Sequence, residues 1–170
     1  MTVSWSLYIT PVDSLSRDGM SEWIASASST RGVPEQIPPV LPRPSVADVL
    51  AALRVAGCHG TNWFNLTGEP AGSRLPECPG TAICTSSGAL DLGEVSVYTM
   101  ESGSSVPAVR ADAVVETVAF RKPHPAAALA AACALAALAG PQLVFDESAA
   151  AAFVVEPGEQ TEELKGKWPW

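Results

Sequence analysis

Cys58, His59, Cys78 and Cys84 carry the donor types of a zinc site. Structural zinc sites supply ligands in close pairs such as C-x2-4-C. Here Cys58 and His59 are adjacent, and the five residues between Cys78 and Cys84 are too many. The spacing argues against a metal, and no cofactor is expected. A Cys–His nucleophile needs thiolate and imidazole within hydrogen-bond reach. The chain has two histidines, and His124, just before Pro125, is better used as a helix cap. A Cys78–Cys84 bridge would fit a flexible loop. The chain shows no basic leader followed by an apolar core, however, so a cytoplasmic location with reduced thiols is expected. Cys133 reads as a small core residue.

Among the carboxylates, Asp146 and Glu147 follow a short apolar run, a place where loop acids serve as general acids or bases. The same pair makes a solvated hairpin turn, which is the simpler reading. Asp91 and Glu94 beside Gly93 read as another turn. Arg121 and Lys122 precede a helix start, where an anion could bind, but they also mark where a strand leaves the core. No phosphate-binding Gly-rich loop, HExxH or GxSxG is present.

The elements that must position these groups are readable in order. Val3, Trp5, Leu7 and Ile9 alternate with polar residues, the pattern of a strand with one buried face. Ser16 resembles an N-cap, and Met20, Trp23, Ile24 and Ala27 predict a helix over 17–28. The segment 31–44 holds five prolines and should be extended. Its Pro39-Val40-Leu41-Pro42 fits a PxxP core, although a crossover within the domain is the simpler role. Ser45 and Asp48 form a capping box ahead of the stripe Val46, Val49, Leu50 and Leu53. An aromatic strand over 61–67 leads into a Gly/Pro/Ser-rich loop, 68–88, the first suspect for a site. Strands over 90–100 and 114–121 follow. Pro125 and Gly140 bound a helix over 125–139 with ten alanines and no polar face. Such a helix is buried or in a membrane. At about four turns it is too short to span a bilayer, so a buried helix is expected. Two short strands, 143–145 and 153–155, precede an acidic tail over 156–170, whose Trp168 and Trp170 could pack back on the body.

This order predicts one α+β domain over 1–170, a two-layer sandwich of mostly antiparallel strands with about three helices. The unit from Val114 to Phe145 could make one parallel pair by a right-handed crossover. The 18 acidic residues against 10 basic ones give a net charge of −8. That opposes nucleic-acid binding and favours a basic partner. The leading expectation is a small acidic protein-binding protein of accessory or immunity type, without catalysis. Its candidate contacts are Trp63, Phe64, Asp146, Glu147, Glu156, Glu159, Glu162 and Glu163. The alternative is an enzyme or small-molecule-binding domain with its site at the 68–88 loop near Asp146. A third reading is a subunit of a larger assembly, docked through the Pro-rich segment and the Trp-bearing tail.

Overall fold

The computed structural model describes residues 5–68, 74–78, 80, 89–99 and 108–170. Its centre is β1 (Ser6–Pro11), whose Leu7 and Ile9 are fully buried. The strand pairs antiparallel with β7 (Val115–Arg121) on one side and β8 (Gln142–Asp146) on the other. Beyond β7 lie β5 (Asp91–Thr99) and then β3 (His59–Asn62), which pairs parallel with β5. Beyond β8 lie β9 (Ala151–Val155) and then β2 (Ser29–Arg31), also a parallel pair. The result is a mixed, mostly antiparallel seven-stranded sheet in the order β2-β9-β8-β1-β7-β5-β3. A small parallel pair, β4 (Asn65–Thr67) with β6 (Ala108–Arg110), stands apart from it.

Among the described residues four α-helices pack on this sheet: α1 (Met20–Ala25), α2 (Val46–Val55), α3 (Pro125–Ala139) and α4 (Thr161–Leu164). The fold is α+β. Helix α3 has the expected bounds, with Pro125 in its first turn and His124 Nδ1 accepting from the Ala126 N–H at 3.2 Å. Its alanines let it lie close to β1, β5, β8 and β9, and Leu129 and Leu135 fill the remaining space. Among the described residues no helix is long and apolar enough to cross a membrane. Helix α2 packs beside α3 and carries the predicted box, Ser45 accepting from Asp48 N–H while Asp48 accepts from Ser45 N–H.

Three local expectations change. The predicted helix over 17–28 shortens to α1 and is preceded by a 3-10 helix, Val12–Ser16. Ser16 caps nothing; its hydroxyl donates to the Asp13 carbonyl at 2.8 Å, and Gly19 at φ 78° starts the helix instead. The turn expected at Asp91–Glu94 lies inside β5, because Gly93 at φ 70° absorbs the irregularity without breaking the strand. The aromatic strand expected over 61–67 is broken at Trp63 and Phe64 into β3 and β4. The unit from Val114 to Phe145 does make parallel strands. They are not neighbours, because β1 is inserted between β7 and β8.

Gly93 is held by more than its torsion. A Cβ there would overlap the carbonyl oxygen of Arg121 on the neighbouring strand. Gly19 also has positive φ, but nothing stands within 4 Å of its missing Cβ. Gly19→Ala should therefore cost about 1 kcal/mol, the usual left-handed penalty. Gly93→Ala should cost clearly more, since backbone must move. Urea denaturation of the two variants tests the order; equal losses would refute the steric argument.

Candidate functional site

The two faces of the sheet are covered unequally. Leu7, Ile9, Val95, Val97, Val118, Phe120 and Val144 belong to the main core, beneath α2 and α3. On the other face the 3-10 helix and α1 cover only one end, packing Val12, Leu15 and Ile24 on Leu143, Phe145, Ala152 and Val154. The uncovered part follows from strand alternation. Strand β7 presents Thr117 and Ala119 there, small residues between Tyr8 on β1 and Tyr98 on β5. Tall rings on either side of a low strand leave a trough, a cavity of about 480 Å³.

Its lining is Tyr8, Arg17, Trp23, Tyr98, Thr99, Glu116, Thr117, Phe145 and Glu147. Tyr8 stacks on Phe145 with centroids 5.4 Å apart, and Trp23 meets Phe145 edge-on at 5.2 Å. Burial, followed by the neighbouring Tyr98 and Glu147, pushes the Tyr8 phenol above its ordinary value, so it stays neutral.

Behind the trough is a buried charge cluster. Arg43, from the Pro-rich segment, donates to Asp13 Oδ2 at 2.8 Å and to Glu116 Oε2 at 3.0 Å. The Asp13 and Glu116 side chains are 3% and 8% exposed, which water cannot neutralise. The Ser14 hydroxyl donates to Glu116 Oε1 at 3.1 Å and stands 3.0 Å from the Thr10 hydroxyl. Half-exposed Arg17 closes the cluster by pairing with Glu116 from the cavity side. Leu41 N–H donates to Asp13 Oδ2 at 3.1 Å, so the PxxP segment is tied down at Leu41 and Arg43, while Val40 remains exposed. The Arg43 hydrogen bond, outweighing burial, holds Asp13 below the usual carboxylate range, and Asp13 in turn raises the Arg43 pKa.

The structure separates the sequence-derived candidates. Trp63 is exposed at the β3 edge, whereas Phe64 is buried in the main core. Asn62, next to Trp63, and Asp146 lie on one cross-strand row through Val95, Phe120 and Leu7. Four strand spacings put them about 19 Å apart. Asp146 is committed to structure: its Oδ1 accepts from Ser148 N–H, Ser148 O–H and Ala150 N–H, and its Oδ2 from Trp170 Nε1–H at 3.1 Å. Burial acts to raise its pKa, but these bonds prevail and hold it low. The tail does pack back on the body, with Trp168 edge-on to Phe153 and Trp170 edge-on to Trp168. Glu159 pairs with Arg31 at 2.7 Å and Glu162 with Lys165, while Glu156 and Glu163 are exposed. Glu147 alone of these candidates lines the cavity. Most of the suspected 68–88 loop lies outside the described residues.

The nucleophile and metal candidates find structural uses. Cys58 is buried and its thiol is pushed up to about 11; burial does the same to Cys133, also to about 11. His59 Nδ1 is 3.8 Å from Asp91 Oδ1, too long for a hydrogen bond. Among the described residues no three His, Cys, Asp or Glu side chains gather to hold a metal. Cys78 is disulfide-bonded, which corrects the expectation of four reduced thiols; Cys84 lies outside the described residues. A bridge needs both suitable Cα spacing and converging Cβ bonds, which the fold supplies rather than the composition. Arg121 pairs with Glu94 at 3.6 Å beside the start of α3.

Sequence reading passed over Tyr8, Tyr98, Arg17 and Glu116. The signal was the presence of large aromatic residues at strand positions that alternation assigns to the polar face. No family model, no curated protein and no solved structure matches this chain.

Removing Arg43 would leave buried Asp13 without a counter-ion and Glu116 with Arg17 alone, so Arg43→Ala should lower the unfolding free energy by about 3 kcal/mol. Arg17→Ala should cost less than about 1 kcal/mol, because its guanidinium is half in water. Asp13, Asp146 and Glu159 all have depressed folded pKa values. In acid the unfolded chain binds more protons than the folded one. Stability should therefore hold above about pH 5 and fall as pH drops through about 4 and below. Asp13→Asn should flatten that acid limb; an unchanged limb in urea titrations across pH would remove Asp13 as a contributor.

Proposed function

We propose that this chain is a small acidic protein of accessory or immunity type that binds a basic protein partner and performs no catalysis. The observation that carries this reading is how its cations are spent. Among the described residues at least six of the ten basic side chains, Arg17, Arg31, Arg43, Arg110, Arg121 and Lys165, are engaged in internal ion pairs. Exposed carboxylates such as Asp18, Glu22, Glu147, Glu156 and Glu163 form no ion pair among the described residues, so the surface field is negative. Support also comes from the chemistry that would serve an enzyme. Both free cysteines among the described residues have raised pKa values, His124 caps a helix, and the Asp146 carboxylate is filled by four donors.

A second reading, small-molecule binding, is favoured by the 480 Å³ cavity, which falls in the size range of ligand pockets. It places the site on the open sheet face, lined by Phe145 and Glu147 on either side of Asp146 in the chain.

Affinity capture on the immobilised chain tests the first reading. The expected result is a specific basic protein, released by added salt and lost from a Glu156→Lys, Glu162→Lys, Glu163→Lys variant that still folds. Recovery of no specific partner, or of one that ignores both salt and charge reversal, would overturn it.

A further inference from the structure

The trough over β7 holds a mixture of groups that its structural role does not require. Phe145 is buried, but the rings of Tyr8, Trp23 and Tyr98 remain partly open to solvent. A sheet face left to water is ordinarily lined with small or charged residues, as β7 does with Thr117. Aromatic faces carry negative quadrupole density and attract cations that come within about 6 Å of a ring centroid.

The charges around the trough do not cancel. Asp13 and Glu116 are matched by Arg43 and Arg17. Glu147 is left over; its carboxylate has no hydrogen bond or ion pair among the described residues, and it lies close enough to Tyr8 to perturb the phenol. Arg17 is turned to Glu116, so the guanidinium nearest the trough is already neutralised. One unpaired carboxylate beside several aromatic rings is the complement of a single organic cation. The volume admits a side chain but not a folded element.

We propose that the trough lined by Tyr8, Trp23, Tyr98 and Glu147 is a binding site for one arginine or lysine side chain presented by a protein partner. The cation sits against the tyrosine rings, with Glu147 accepting its N–H groups and Thr117 forming the floor. The inference rests on the reading above for the source of the cation, but the site can be probed without that partner. Pairing by Glu147 would be charge-assisted, and contact with the rings would add to it.

The full chain should be titrated with N-acetyl-arginine methylamide and with its uncharged citrulline analogue, following Trp23 indole and Tyr ring resonances by NMR. Arginine amide should shift these resonances saturably, and citrulline amide should bind at least about tenfold more weakly. Glu147→Gln and Tyr98→Ala should each weaken arginine amide by about fivefold to tenfold while leaving the urea midpoint near that of the parent chain. Equal binding of the two amides, or binding unaffected by Glu147→Gln, would overturn the site. Failure to shift the trough resonances at all would do the same. Arginine amide bound as described with no basic protein ever captured would preserve the site and sink the proposed function. A basic partner held equally well by the parent and by Glu147→Gln would do the reverse.

Discussion

Arg43 between Asp13 and Glu116 is the contact on which the arrangement of the chain depends most. Two carboxylates with almost no exposure to water are tolerable because one guanidinium reaches both, with Arg17 and Ser14 also reaching Glu116. Arg43 belongs to a Pro-rich segment that lies outside the sheet, Asp13 to the 3-10 helix and Glu116 to β7. One side chain therefore fastens three segments, of which the Pro-rich one meets the start of β7 through the Ser45–Val114 bridge and the Val115 N–H to Pro44 carbonyl bond. The prolines reduce the freedom of that segment in the unfolded chain, which lowers the entropy lost when Arg43 docks. Arg43 also stabilises the wall from which Arg17 faces the trough.

The sheet gains most of its stability from the other side. Helix α3 can approach closely because its contact surface is mostly alanine, and α2 packs against it under a capping box. This heavy cover on one face leaves the second face free to be incomplete. The 3-10 helix and α1 protect the end over β8 and β9, and the 3-10 helix reaches β7 through Ser14 at Glu116. The trough is the gap left by that short helix, rimmed by rings that extended strands hold in place.

Charge divides in the same way. The cations of the chain are largely used inward or in local pairs, and the carboxylates are used both inward and outward. Asp146 fixes the β8–β9 turn and the Trp170 side chain, Glu159 fixes Arg31, and the next residue after Asp146, Glu147, faces the trough. Adjacent acids thus have opposite fates because successive side chains leave the backbone in different directions at a strand end.

Much of the secondary structure was legible because its causes are local. Ser45 with Asp48, His124 with Pro125, and the alternation in Ser6–Pro11 and Asp91–Thr99 each act within a few residues. The acidic excess and the buried character of α3 were likewise present in the sequence. The helix over 17–28 was overread because Ser16 resembles an N-cap and Ala27 prolongs the apolar spacing, whereas Gly19 starts the helix and Ser26 ends it. The site was not legible, since its causes are distant in the chain. Ser14 and Glu116 are 102 residues apart and Arg43 and Glu116 are 73 apart. No periodicity encodes those separations. Propensity and capping determine which segments become strands and helices. Only the tertiary pairing, with β1 inserted between β7 and β8, decided that Tyr8 and Tyr98 would stand across a low strand and face Glu147.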